Sequence, residues 1–315
     1  MMYVLYITLC FGLVFTIPFL GRFLTFPHDA AFVVVATTKQ KCDEFGNPCE
    51  SYIAASHVKK ELVFVFRGTK TKSQLLLQGL QYLNPGENFF NMGSVNRYFK
   101  NGHEVLWPHV EQALTNPKYA NYKTTFTGHS LGGALAALAA VRTAKQGYRK
   151  RNQITIYTFG EPRVGDKTFA TNFDALVPNS YRVVFRRDII PHIPACAKVK
   201  TWIIEGTSRP CDANVKNKPY HHGTEIWYPD SMERGSHYVE CVGQPKDEDF
   251  ACSDKIKFFF DQYESYMSDH RHYFSVRVPR YGKTGCDVKK PEGEPGFFEN
   301  VINKINVLAR KIGFE

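Results

Sequence analysis

The run Gly128-His129-Ser130-Leu131-Gly132-Gly133 sets a serine between glycines at G-x-S-x-G spacing, a pattern that can carry nucleophilic catalysis. A serine hydroxyl attacks a carbonyl only when a base takes its proton and a third group orients that base. The spacing predicts a nucleophile elbow, a sharp turn that strains Ser130, with glycines at 128 and 132 leaving it room. Such a turn lifts the hydroxyl out of the sheet. It also aims the Leu131 amide, at a helix start, at the space where an oxyanion would form.

The acid and base of such a site follow in the order Ser, Asp or Glu, His. Asp188 stands after a predicted strand and before Ile189-Ile190-Pro191, where an acid belongs. Asp166 lies in the turn Pro162-Arg163-Val164-Gly165-Asp166 and reads as a helix cap, and Asp174 reads as a solvated side chain on a helix. Downstream lie His192, His221, His222, His237, His270 and His272, and spacing alone does not choose among them. The late pair His270-Arg271-His272 suits the order, while His221 and His222, beside Trp227 and Tyr228, read as buried structural histidines.

These residues need elements to position them. A Thr- and Phe-rich strand is expected over 123–127, followed by an Ala/Leu-rich helix over 134–142. Buried strands are expected at 31–36 and 61–66, a helical rhythm over 95–114, and further strands at 154–159 and 181–185. Strands alternating with helices indicate an α/β protein with a mostly parallel central sheet and helices on both faces, the α/β-hydrolase fold.

A chain of 315 residues, 43% hydrophobic and 14% aromatic, can bury one large core, and no linker divides it. One catalytic domain is therefore expected over 25–280. The net charge of +10 comes from scattered Lys and Arg without a nucleic-acid-reading motif, so no nucleic-acid partner is expected. A basic surface of that kind is either simply solvated or attracted to anionic lipid interfaces.

Residues 3–20 are almost wholly apolar, short for a membrane span, and placed where a secretory signal lies, although no Lys or Arg precedes them. Segment 1–21 is read as a signal peptide or hydrophobic N-terminal segment. Secretion is the expectation, with membrane association through that segment as the alternative. Frequent cysteines favour export, and neighbours suggest the bridges Cys42 to Cys49, Cys196 to Cys211 and Cys241 to Cys252. Cys286 is left over, and it either pairs with Cys10, which is lost if a signal is cut beyond it, or stays a free thiol. In the tail, 281–315, residues 289–296 break structure; Phe298, Val301, Ile305 and Leu308 then follow helical spacing. That amphipathic tail either packs back on the domain or meets a membrane surface.

Several ordered blocks also carry a family resemblance. They are Phe66-Arg67-Gly68-Thr69, Thr127 to Ala134 around the serine, Phe159-Gly160-Glu161-Pro162-Arg163-Val164-Gly165-Asp166, Arg187-Asp188-Ile189-Ile190-Pro191-His192, His221-His222-Gly223-Thr224, and His270-Arg271-His272-Tyr273-Phe274. From about Val33 to Phe274 the chain resembles the fungal-type class three lipases, in the form common among invertebrate secreted lipases. The resemblance implies that His270, three residues before a Tyr-Phe pair, is the catalytic base rather than His272. It implies that Thr69 supplies the second half of the oxyanion hole beside Leu131. It also implies that the stretch from Lys72 to Leu83, with Leu75, Leu76 and Leu80, is a lid that covers an apolar groove in water and opens at a lipid surface. Family members carry an N-terminal helix whose cysteine pairs near the C-terminus; no such helix is evident between Leu20 and Ala30, consistent with the odd Cys286.

The expected activity is serine ester hydrolysis of acylglycerols through an acyl-enzyme, at an oil–water or membrane interface, with Ser130, His270 and Asp188 as triad and no metal or organic cofactor. A phospholipase A1 or other carboxylesterase on the same fold is the alternative, and an inactive lipid-binding protein the alternative from outside enzymology. The sequence does not set the oligomeric state.

Overall fold

A computed structural model describes residues 17–19, 22–24, 32–42, 48–68, 86–201, 205–274 and 276–278. Most of the hydrophobic N-terminal segment, Thr69, the leucine-rich stretch with Leu75, Leu76 and Leu80, Cys10, Cys286 and the tail after 280 lie outside the described residues. Ile17–Phe19 and Arg22–Leu24 pair antiparallel.

The frame is an eight-stranded sheet. Its strands are β1 (Val33–Lys41), β2 (Pro48–Ser56), β3 (Glu61–Phe66), β4 (Lys123–His129), β5 (Ile154–Phe159), β6 (Ser180–Phe185), β7 (Thr224–Tyr228) and β8 (Val239–Cys241). Their order across the sheet follows the chain, from β8 at one edge to β1 at the other. Strands β3, β4, β5, β6 and β7 run parallel, and β1, β2 and β8 join antiparallel at the edges.

Strand alternation sends successive side chains to opposite faces. Leu62, Phe64, Phe66, Phe126, Ile154 and Ile156 enter one core beneath helices α1 (Arg97–Thr115) and α2 (Leu131–Lys145). Tyr157, Phe159, Val183 and Phe185 face the other side, where Tyr273, Phe274 and Val278 cover them. Two further helices, α3 (Lys167–Leu176) and α4 (Tyr263–Arg271), complete the layers. The alanines of α2 are almost wholly buried, and their small side chains let this central helix lie close against β3, β4 and β5.

The first strand departs from expectation. It begins at Val33, continues to Lys41, and lies at an edge with Val33 48% exposed rather than buried. Lysines and glutamine in its outer half suit an exposed edge, which is why the apolar run ends before the strand does. Strand β2, starting at Pro48 and the bridged Cys49, is not among the strands expected from the sequence. The disulfides Cys42–Cys49, Cys196–Cys211 and Cys241–Cys252 are formed as neighbours in sequence suggested.

Candidate active site

Ser130 directly follows β4 and stands at the N-cap of α2 with φ 57° and ψ −130°, a conformation costly for a residue with a side chain. The turn is held by backbone packed on backbone. A Cβ at Gly128 would lie 2.2 Å from the Gly132 carbonyl, and one at Gly132 would lie 2.2 Å from the Phe66 carbonyl oxygen. Only glycine fits at either place. The Ser130 amide donates to the Phe159 carbonyl at 2.9 Å, which fixes the elbow to the neighbouring strand.

The Ser130 hydroxyl oxygen is buried and has no hydrogen-bond partner among the described residues. Such a group pays for its burial unless a substrate or base engages it, and catalytic hydrogen bonds commonly tighten only when substrate binds. Leu131 is the first residue of α2, so its amide is among the N–H groups that a helix start leaves without intrahelical partners. Strand β3 ends beside this turn: a Cβ at Gly68 would lie 3.4 Å from Ser130 Cβ. Thr69 follows Gly68 directly in the chain.

Asp188 and His270 meet across 82 residues of sequence. His270 Nδ1 lies 3.0 Å and 2.9 Å from the two Asp188 carboxylate oxygens, and both side chains are buried. A carboxylate only accepts, so Nδ1 carries the proton and Nε2 is the basic nitrogen. Asp188 Oδ1 also accepts from the Ile190 amide at 2.9 Å, and Oδ2 from the Tyr273 hydroxyl at 2.6 Å. Burial, then the Asp188 charge and its hydrogen bond, push the Tyr273 hydroxyl far above the usual phenol range, so it remains a donor.

His129 joins the elbow to the base. Its Nε2 donates to the His270 carbonyl at 2.7 Å, and the two imidazole rings stack with centroids 4.5 Å apart. Burial, reinforced by the neighbouring His270, holds His129 well below its ordinary pKa against the opposing pull of that hydrogen bond, and so neutral. The helix bearing His270 is tied to the Asp188 loop as well: the Arg187 amide donates to Asp269 at 3.3 Å and its guanidinium to the Tyr266 hydroxyl at 2.9 Å. Gly160, at φ 55°, leaves the space in which Asp188 and His270 meet.

His272 is not part of this arrangement. Its Nδ1 lies 2.7 Å from the Ser268 carbonyl, at the partly exposed end of its own helix. Asp166 is a cap, its Oδ1 accepting from the Phe169 amide at 2.8 Å. Asp174 corrects expectation, because its side chain is only 16% exposed, is ion-paired with Lys246 and accepts from the Gly223 amide at 2.8 Å. The turn before β7 folds onto α3, and a helix-only reading of Asp174 cannot anticipate that. His221 and His222 are buried and structural: His221 Nε2 donates to the Pro191 carbonyl at 2.6 Å, and His222 pairs with Glu161 at 3.1 Å.

A buried ionic cluster braces the loop after Asp188. Arg163 forks onto Glu248 at 2.7 Å and 2.8 Å and donates to the His192 and Pro194 carbonyls at 2.6 Å and 3.1 Å. Asp254, pushed up to about 6 by burial and then by Glu248, receives Lys198 at 2.7 Å. Two places gather cysteine sulfur and a carboxylate, with Asp254 and with Glu225, but the sulfurs are in disulfides and offer no thiolate to a metal. Tyr273, His129 and Arg163 fall within the ordered blocks, but nothing in their spacing shows what each of them contacts. The Tyr-Phe pair after the histidine was visible only as a family marker.

The family model of class 3 lipases matches residues 63–198. A Caenorhabditis elegans protein named as a lipase is 46% identical over 298 residues, spanning 93% of this chain and 84% of that one. A Rhizopus niveus lipase is 31% identical over 180 residues, 53% of this chain and 45% of its own. The crystal structure of a lipase from Rhizopus microsporus var. chinensis superposes with a TM-score of 0.60 over 82% of this chain and 78% of that chain, at 22% identity, which is a likeness of fold.

Proposed function

The chain belongs to the class 3 lipase family, and on that footing we propose that Ser130, His270 and Asp188 are the catalytic triad with which it hydrolyses acylglycerols. It is a lipid ester hydrolase of the α/β-hydrolase fold. The observation that carries the site assignment is the pairing of His270 Nδ1 with both oxygens of a fully buried Asp188, with His129, the residue before the strained elbow serine, stacked on the same imidazole at 4.5 Å.

In the proposed cycle His270 Nε2 takes the Ser130 proton as Oγ attacks the ester carbonyl. Asp188 stabilises the imidazolium while the Leu131 amide receives the oxyanion. Thr69, in the chain next to Gly68 at the elbow, adds its amide and hydroxyl; a donor of this kind is typically worth about 3 kcal/mol of barrier. His270 returns the proton to the departing alcohol. Water then attacks the acyl-serine with the same base, and the fatty acid leaves.

The leucines at 75, 76 and 80 are proposed to cover the site in water and to open at an oil–water or membrane interface. The domain is read as 25–280. The three bridges fit an oxidising compartment, and no helix among the described residues is long and apolar enough to cross a membrane. Secretion is the reading the bridges favour. Side-by-side rates on emulsified triolein, phosphatidylcholine and a feruloyl ester test the substrate. Triolein is expected to be fastest, and Ser130→Ala to abolish its hydrolysis while the thermal midpoint is kept. Turnover retained by Ser130→Ala would overturn the site, and faster phosphatidylcholine cleavage would overturn the acylglycerol preference.

A further inference from the structure

Two phenylalanines of the described surface face water. Phe260 is 97% exposed and Phe259 45% exposed, while the adjoining Phe258 turns inward against the rings of Tyr266 at 4.9 Å and His192 at 4.7 Å. The segment that presents them is pinned. The Phe259 amide donates to the Tyr266 hydroxyl at 3.0 Å, the Gln262 amide to the Phe259 carbonyl at 3.2 Å, and Arg187, adjacent to Asp188, holds the same Tyr266 hydroxyl at 2.9 Å.

Lysines accompany the rings. The Lys257 ammonium lies 5.4 Å from the Phe259 ring centroid, and Lys255 lies 4.9 Å from that of Trp227. Asp261 adjoins Phe260 in the same short 3-10 turn and Glu264 stands in the first turn of α4, both exposed, so the basic part of the segment is its N-terminal half, with Lys255 and Lys257. Rigid, exposed aromatics with lysines beside them match a boundary that is apolar within and anionic at its surface. The chain's net charge of +10 adds long-range attraction of the same sign.

We propose that the Lys255 to Phe260 segment is a lipid-docking patch that seats the protein on an anionic lipid surface. Phe259 and Phe260 enter the acyl-chain boundary, and Lys255 and Lys257 meet the headgroups. This rests on the reading of the chain as an enzyme of lipid surfaces, and it assigns docking to residues 255–260 in addition to the leucine-rich stretch proposed as a cover. The nine residues of α4, about 14 Å of helix, connect the patch to His270.

The test is sedimentation with phosphatidylcholine vesicles, with and without phosphatidylglycerol, using Ser130→Ala protein so that no lipid is consumed. Adding Phe259→Ser with Phe260→Ser is expected to weaken binding to the mixed vesicles at least about tenfold. Adding Lys255→Gln with Lys257→Gln is expected to weaken it about tenfold at low salt, with the difference lost at high salt and absent on phosphatidylcholine alone. In the active protein the phenylalanine pair should leave turnover of a water-soluble short-chain ester unchanged, which shows that the fold survives. Equal vesicle binding by parent and variants would overturn the patch. So would a phenylalanine variant that changes the mass in sedimentation velocity instead of vesicle affinity, since the rings would then join copies of the chain. Failure of the parent to cleave the soluble ester would overturn the catalytic reading, and the vesicle measurement would stand apart from it.

Discussion

Gly160→Ala tests how closely the acid and base must fit. Gly160 has φ 55°, and a Cβ there would lie 2.6 Å from Asp188 Oδ2, 2.9 Å from His270 Nδ1 and 3.0 Å from His270 Cε1. Ordinary contact begins at 3.4 Å, so the carboxylate must retreat by roughly 0.8 Å or the imidazole must tilt away. Neither side chain has room to spare, because Asp188 is also fixed by the Ile190 amide and the Tyr273 hydroxyl. A misplacement approaching 1 Å in a catalytic constellation costs about a hundredfold in rate, about 2.7 kcal/mol of barrier. The left-handed backbone adds about 1 kcal/mol of destabilisation for alanine. The assay is kcat/KM on a soluble short-chain ester together with thermal unfolding of the same preparation. The expected result is a loss of about a hundredfold with a melting midpoint lowered by only a few degrees. Full activity in a folded Gly160→Ala protein would refute the argument that this pair must stay where it is.

Tyr273→Phe removes the 2.6 Å donor to Asp188 and should lower kcat/KM about tenfold; an unchanged value would show that the hydroxyl only satisfies itself. His103 is buried and its pKa falls from 6.5 to about 3, through burial first and then Arg142. Its unfolded form therefore binds a proton between those values that the folded form refuses, so its stabilising effect is complete above pH 6.5 and is lost as pH falls toward 3. Urea unfolding should show His103→Gln flattening the acid loss by about 2 kcal/mol between pH 7 and pH 5, and an unaltered slope would contradict this. Arg163→Leu strands the buried Glu248 and should cost about 3–5 kcal/mol in urea unfolding, most of it recovered when Glu248→Leu is added; no recovery would mean that the carbonyl contacts of Arg163 matter more than the ion pair.

Local signals made much of the scaffold legible. The elbow announces itself because its glycines answer a steric demand within five residues, and strands at 61–66 and 154–159 show as apolar runs because parallel strands are buried on both faces. The two strands at the antiparallel end of the sheet were less legible. Val33–Lys41 is an apolar run that turns polar after Ala36, and Pro48–Ser56 starts at a proline and a bridged cysteine, so neither offers a clean period over its whole length. Which histidine meets Asp188 depends on a contact across 82 residues, and only the family marker at Tyr273-Phe274 pointed to His270. The contacts of His129, Tyr273 and Arg163 are tertiary in the same sense: each side chain is ordinary in sequence, and its role depends on what the fold places opposite it.

Labelling with an alkyl phosphonate ester tests the proposed serine chemistry most directly, because the reagent needs an activated nucleophile and an oxyanion site but no lipid surface. Mass spectrometry of the labelled protein should find one adduct, on the peptide containing Ser130, with labelling abolished by Ser130→Ala and strongly slowed by His270→Ala while both variants stay folded. An adduct on another residue, or labelling at the full rate in folded His270→Ala, would contradict the assignment of Ser130 and His270 as nucleophile and base.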